Sequence, residues 1–321
     1  MSSHKKISIL GAGRVGSSIA YSLILEGLCS EIVLVDIVKE LAQGESMDMI
    51  QGTPFSNPVN IYAGEYQDVA GSDIVIVTLG RARKLGQSRI ELVQGNVDII
   101  KNVMPQVVSY APDAIYIIVS NPVDVLTYAV QEITGLPKER VIGTGTLLDS
   151  SRLRSILAER AKVSPSNVHG YVFGEHGDSS FVPWSLTSIA GMPLEEYDAN
   201  TFANKQDEIQ EEVRLCGANV IKNKGATNYA IAMLVCYLAS SILKDTKGVL
   251  TVSTRMDGQY GIEDVCLSIP AVIGSQGIIR TVEPELSDSE KGLLIDSANI
   301  LKDVIPVSYT HLRAHETGAY L

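Results

Sequence analysis

No two of the four cysteines share a CxxC spacing. Cys29, Cys216, Cys236 and Cys266 lie far apart, which excludes a sequence-local zinc site or redox pair. Reduced, buried thiols in a cytoplasmic protein are the expectation. A basic excess is also missing. With 26 Lys and Arg against 37 Asp and Glu, the net charge is −11, and no footprint for nucleic acid or an anionic membrane exists. The apolar segment 230–243, bounded by Lys224 and Lys244, is too short to span a bilayer. The opening MSSHKK runs straight into a strand-like segment, so no secretory leader is expected. Internal repeats and low-complexity linkers are lacking as well, which points to two domains sharing one rigid body. Partners are therefore expected among small molecules and other subunits.

What is present begins with KISILGAGRVG, residues 6–16, read with Asp36 at the end of EIVLVD. The run 7–10 is short, apolar and rich in β-branched residues, as a buried parallel strand is. Glycines follow at once, and then a helix-like segment over 17–26. In that order Gly11 permits a tight turn, Gly13 lets backbone approach a pyrophosphate, and Gly16 lets the helix pack closely. The diphosphate would rest on the helix N-terminus. Asp36 stands twenty residues beyond Gly16, where a carboxylate accepts hydrogen bonds from a ribose diol and repels a 2′-phosphate. NAD is thus expected in preference to NADP. Chance glycine turns are the bland alternative; strand, glycines, helix, strand and acid in register argue against it.

Further strands are expected at 32–35, 73–78, 114–119 and 140–142, alternating with helices at 41–49 and 90–109. Such alternation predicts an α/β Rossmann fold, a doubly wound parallel sheet with ligands at the strand carboxyl ends. Thr78, Gly80 and Ser120-Asn121-Pro122 lie at those ends. An NAD-binding domain is expected over 1–144. A C-terminal α+β substrate domain follows over 145–306, with helices at 150–161, 201–222 and 227–244, a strand at 168–173 and a hairpin over 249–262 turning on Asp257-Gly258. A last helix should start at the capping box Ser287-x-x-Glu290 and run to about Val304. Residues 307–321 depart from the pattern; VSYTHLRAHET resembles translated adapter sequence, a non-native appended tail, so no metal role is expected for His311 and His315.

Asp149-Ser-Ser-Arg152 and Gly174-Glu-His-Gly-Asp178 resemble the L-lactate and L-malate dehydrogenase family, over nearly everything from Lys5 to Val304. Read alone, His176 is a structural histidine, Arg152 a surface ion pair and 80–89 (GRARKLGQSR) a solvated charge run. The resemblance implies more. His176 would be the acid/base, with Asp149 fixing its tautomer and raising its pKa. Arg152, three residues on and on the same helix face, would clamp the substrate carboxylate. Asn121 would donate to the substrate oxygen beside the nicotinamide. Residues 80–89 would form a closing lid whose Arg89 polarises the ketone. Gly11, Gly13, Val15, Gly16, Asp36, Thr78, Gly80 and Asn121 would contact the cofactor.

Substrate choice divides the resemblance. Arg83 stands where lactate enzymes carry glutamine and malate enzymes arginine. A shut-in arginine opposite a methyl group would lack a counter-ion, whereas opposite a second carboxylate it is paired. Arg83 therefore tilts the expectation toward oxaloacetate and L-malate. Thr227, within Lys224-Gly-Ala-Thr227, looks lactate-type, which keeps pyruvate and L-lactate as the alternative. Arg154 and His169 match a pair that binds fructose 1,6-bisphosphate between subunits in allosteric bacterial lactate enzymes, and a homotetramer or homodimer is implied. Two rivals are a nucleotide-sensing protein without turnover and an NAD-dependent glycosidase with a metal. The complete set His176, Asp149, Arg152, Arg89 and Asn121 argues against the first, and the lack of a suitably placed cysteine against the second.

Overall fold

The computed structural model describes residues 4–80 and 89–316, with side chains described over 4–80 and 92–305. Arg83 lies outside the described residues, as does the side chain of Arg89.

The first half alternates as its hydrophobic pattern demands. It runs β1 (Lys6–Leu10), α1 (Arg14–Glu26), β2 (Glu31–Val35), α2 (Lys39–Gly52), β3 (Asn60–Ala63), β4 (Ile74–Val77), α3 (Arg89–Tyr110), β5 (Ile115–Ile118), α4 (Val123–Thr134) and β6 (Val141–Gly143). The six strands pair in parallel in the order β6, β5, β4, β1, β2, β3. Their β-branched side chains are sealed between helices: Ile7, Ile9, Ile74, Ile76 and Ile117 are 0% exposed. Burial of that kind stabilises by about 1.5–3 kcal/mol per side chain. From β1 the chain winds one way to β3, then restarts at β4 and winds the other way. The crevice between the carboxyl ends of β1 and β4 is therefore the topological switch point, where Gly11 and Thr78 meet.

The second half comprises α5 (Leu147–Ala161), β7 (Val168–His169), β8 (Ser188–Ile189), β9 (Met192–Pro193), α6 (Leu194–Phe202), α7 (Gln206–Lys224), α8 (Tyr229–Leu243), β10 (Gly248–Asp257), β11 (Glu263–Gly274), β12 (Gly277–Thr281) and α9 (Asp288–Glu316). Strands β7 to β9 form a small antiparallel sheet. The expected hairpin is a three-stranded meander, and it does not stand apart. Ser253 of β10 pairs with Gly143 of β6, so β10, β11 and β12 extend the first sheet to nine strands among the described residues. Small residues permit this approach: a Cβ on Gly143 would meet Ser253 Cβ at 2.8 Å, and one on Gly145 would meet Ser268 Oγ at 2.1 Å.

Several expected boundaries move. The helix expected over 201–222 is two: Asn204, at φ 57°, breaks it between α6 and α7. The Asp-Gly reading implies a two-residue turn, yet the chain leaves β10 through Gly258 at φ 101° and a further helical turn at Gln259–Gly261 before β11 starts. The capping box forms: the Ser287 N–H donates to Glu290 Oε2 at 2.9 Å and the Glu290 N–H to Ser287 Oγ at 3.3 Å. The final helix then runs through Glu316 rather than ending near Val304, since the sequence past Pro306 holds no further helix breaker until Gly318. Among the described residues no helix is long and apolar enough to cross a membrane.

Candidate active site

The glycine turn is built for close approach. Gly11 takes φ 101°, and a Cβ there would sit 2.6 Å from Thr78 Oγ1. On Gly16 a Cβ would lie 1.8 Å from the Gly11 carbonyl oxygen, so the helix enters directly against the turn. Thr78 secures the arrangement from beneath: its hydroxyl lies 3.0 Å from both the Leu10 and the Gly11 carbonyl oxygens. Gly13 differs, for no protein atom comes within 4 Å of its Cβ position. It caps α1 without a side-chain hydrogen bond, so the first helical N–H groups are left to an anion. Val15 is half-buried on α1, and Gly80, at φ 149°, faces the Asn96 side chain.

Asp36 is oriented by two backbone N–H groups, from Ala12 to Oδ2 at 2.7 Å and from Val38 to Oδ1 at 2.8 Å. Each carboxylate oxygen keeps lone pairs for ribose hydroxyls. An open glycine, an uncapped helix start and a fixed acid on the neighbouring strand together fit a dinucleotide.

At the carboxyl end of the sheet, α5 and the loop after β7 build the second cluster. Asp149 and Arg152, three residues apart, face the same way on α5. Arg152 Nη1 donates to Asp149 Oδ1 at 2.9 Å. The other carboxylate oxygen, Oδ2, lies 2.6 Å from Nδ1 of His176. One nearly buried carboxylate thus serves an imidazole and a guanidinium at once. Burial pushes the Asp149 pKa up, but His176 and Arg152 outweigh it and hold the carboxyl below its ordinary range. Burial likewise disfavours the imidazolium of His176, yet the Asp149 charge and hydrogen bond hold its pKa above the ordinary value. The ring remains 26% exposed, enough to meet a ligand through Nε2. A half-buried imidazole whose charged form is favoured by a carboxylate partner can donate to a carbonyl oxygen as its carbon is reduced, and recover the proton in reverse.

Asn121 stands exposed just past the end of β5, its carbonyl held by Asn96 Nδ2 at 2.8 Å. Thr227 lies half-buried between α7 and α8. That connection packs on α1: a Cβ on Gly225 would meet Arg14 Nη1 at 3.5 Å, and Asn228 Nδ2 donates to Ser18 Oγ at 2.8 Å. Around Arg152, Gly217 of α7 leaves room, with a Cβ position 3.4 Å from Nη2.

Two family models divide the chain. The lactate/malate dehydrogenase NAD binding domain matches residues 5–143, and the alpha/beta C-terminal domain of the same enzymes matches 146–309. The chain belongs to the lactate/malate dehydrogenase family. Relatives in this lactate/malate dehydrogenase family include an L-lactate dehydrogenase of Acetivibrio thermocellus, 46% identical over 94% of this chain and 96% of the relative. An L-lactate dehydrogenase 1 of Clostridium acetobutylicum is 46% identical over 94% and 98%. Among solved structures, the minor L-lactate dehydrogenase of Enterococcus mundtii superposes with a TM-score of 0.91 at 36% identity, covering 94% of this chain and 98% of that one. The chain is accordingly an oxidoreductase whose first domain binds NAD.

The remaining residues expected from the lactate/malate dehydrogenase resemblance lie elsewhere. Arg154 and His169 are both exposed, on α5 and β7, and Arg154 Nη2 donates to the Pro165 carbonyl at 3.3 Å. Beside Arg154 lies a cavity of about 230 Å³, lined also by Ser151, Ser155, Tyr171 and Tyr237. Sequence reasoning missed Asp124 and Ser253, which meet behind His176. An acid inside the apolar run VDVL was the available signal for the first.

Proposed function

We propose that the chain is an NAD-dependent L-2-hydroxyacid dehydrogenase whose preferred pair is pyruvate and L-lactate. The observation that carries the reading is the single carboxylate of Asp149 shared by His176 and Arg152. When bound at Gly11, Gly13, Val15, Gly16 and Asp36, NAD supplies or accepts the hydride at substrate C2. His176 Nε2 exchanges the proton with the substrate oxygen, and Asn121 donates to that oxygen from the end of β5. Arg152 clamps the carboxylate, and Arg89, at the start of α3, polarises the carbonyl. Residues 1–144 and 145–306 are assigned as cofactor and substrate domains. A cytoplasmic location suits the four free thiols. Apolar side chains exposed on α1, α2 and α8, including Leu25, Met47, Ile50, Met233 and Tyr237, support assembly as a homodimer or homotetramer.

The choice of pyruvate is supported by the relatives named L-lactate dehydrogenase and by Thr227. A second reading, oxaloacetate and L-malate, rests on Arg83 in the sequence. NADH oxidation with each 2-oxoacid, in the wild type and in Arg83→Gln, separates the two. Pyruvate is expected to give the higher kcat/KM, and Arg83→Gln to depress oxaloacetate reduction about ten- to a hundredfold, as loss of a charge-assisted pair does. Oxaloacetate preferred by the wild type, and reversed by Arg83→Gln, would establish the malate reading instead.

Arg154 and His169 are proposed to recognise the phosphates of fructose 1,6-bisphosphate. Titrating the sugar bisphosphate should lower the apparent KM for pyruvate, and Arg154→Ala should remove the response. An unchanged KM in the wild type rejects the effector.

A further inference from the structure

We propose that Asp124 is a positioning residue for His176, a second carboxylate that pins the histidine's main chain and biases the imidazole toward its protonated form. The proposal rests on the reading of His176 as the proton donor.

Asp124 is the second residue of α4, just past Asn121-Pro122, and only 2% exposed. Its Oδ2 accepts the His176 N–H at 2.8 Å, and its Oδ1 accepts the hydroxyl of Ser253, itself 0% exposed on β10, at 2.6 Å. These three residues come from α4, the loop after β7 and β10, so the contact joins both halves of the chain. His176 is consequently held at two points: its ring by Asp149 from α5 and its backbone by Asp124 from α4. The helix that carries Asp124 starts immediately after Asn121-Pro122. The proposed pair of groups on the substrate oxygen, Asn121 and His176, thus shares one anchor.

A purely structural role would be met by a neutral acceptor, because neither hydrogen bond requires a charge. Burying a carboxylate here is costly, and it is retained at the first turn of a helix, where the dipole favours an anion. Burial raises the Asp124 pKa to about 6, opposed by the bonds from Ser253 and His176. Near neutral pH the group is ionised, and its charge faces His176. Among the described residues, the charged groups acting on the imidazole are Asp149 and Asp124, which favour protonation, and Arg152, which opposes it. Asp124 itself is faced by His176, by Glu175 and by the Cys266 thiol of β11.

Asp124→Asn isolates the charge. The amide oxygen can still accept from His176 N–H while its NH₂ donates to Ser253 Oγ. The His176 imidazole signal, identified by its loss in His176→Gln, is then titrated by NMR in the free protein. In Asp124→Asn it should titrate at lower pH than in the wild type. With NADH, kcat/KM for 2-oxoacid reduction should fall about tenfold near about pH 8 and less than about twofold near about pH 6, as loss of protonated donor requires. Ser253→Ala provides the second variant. Without that hydroxyl Asp124 takes up its proton more readily, so the His176 titration should move in the same direction by a smaller amount. An unmoved His176 titration in folded Asp124→Asn, or a loss of kcat/KM equal at all pH values, overturns the proposal. The titration needs no turnover. A wild type that reduces no 2-oxoacid, with the His176 titration still shifted in Asp124→Asn, would reject the dehydrogenase reading while leaving the coupling of Asp124 to His176 established.

Discussion

Asp149→Asn is expected to lower kcat for 2-oxoacid reduction by about 10²–10⁴-fold, the range that proton transfer and its orienting group supply. The carboxylate accepts from two donors, His176 Nδ1–H on one oxygen and Arg152 Nη1 on the other. An amide has one acceptor atom and can serve only one of them. If its oxygen faces His176, its NH₂ confronts the guanidinium; if it is flipped, it donates to Nδ1 and the imidazole cannot protonate there. In both orientations the Asp149 charge, the largest influence raising the His176 pKa, is lost. With His176 as the proposed proton donor, reduction would require the imidazolium, so its kcat/KM should decline as pH rises through the His176 pKa, and in the variant that decline should begin at lower pH. Oxidation of the 2-hydroxyacid uses the neutral ring and should lose less at high pH. Steady-state profiles in both directions check this. Coincident profiles for variant and wild type would show that Asp149 does not set the protonation of His176.

Gly16→Ala is the second large effect, and it is best read against Gly13→Ala. At Gly16 the new methyl would lie 1.8 Å from the Gly11 carbonyl oxygen and 3.0 Å from Thr78 Oγ1. Neither backbone nor the tethered threonine can withdraw without moving the turn. Overpacking of this kind costs about 1–3 kcal/mol, and displacement of the α1 N-terminus should weaken NAD binding at least about tenfold. At Gly13, with φ −68° and no protein atom within 4 Å, alanine fits the free protein. Its methyl intrudes only where the pyrophosphate would lie. Thermal denaturation should therefore drop for Gly16→Ala and hold for Gly13→Ala, while NADH fluorescence titration shows weakened binding in both. Full affinity in Gly13→Ala would remove Gly13 from the cofactor site.

Much of this was legible in the chain because local chemistry spelled it out. Strands β1, β2, β4 and β5 are β-branched runs with no competing reading, and the glycines sit where the turn needs them. Asp149 and Arg152 share a helix face by spacing alone. Elements were lost where the local signal was weak. Strand β3 is four residues on a sheet edge. Helix α4 is buried along most of its length and opens directly after Pro122, with no side-chain cap to mark its start. The break at Asn204 has neither glycine nor proline to mark it. Asp124 and Ser253 were invisible for another reason: they stand 129 positions apart, and only the junction of β6 with β10 brings them together.

The shared carboxylate of Asp149 has a thermodynamic corollary. In the free protein Arg152 is already engaged by an internal anion, and its positive charge works against the imidazolium of His176. A 2-oxoacid carboxylate clamped by Arg152 would neutralise that charge and lift the opposition. Substrate binding and proton uptake then become linked equilibria: each 2-oxoacid that docks draws a fraction of a proton from solvent onto His176, and acidity tightens docking in return. The 2-hydroxyacid, which needs the unprotonated ring, is linked in the opposite sense. The direction in which the molecule runs is thereby coupled to ambient pH at the stage of binding, before any bond to hydrogen is made or broken.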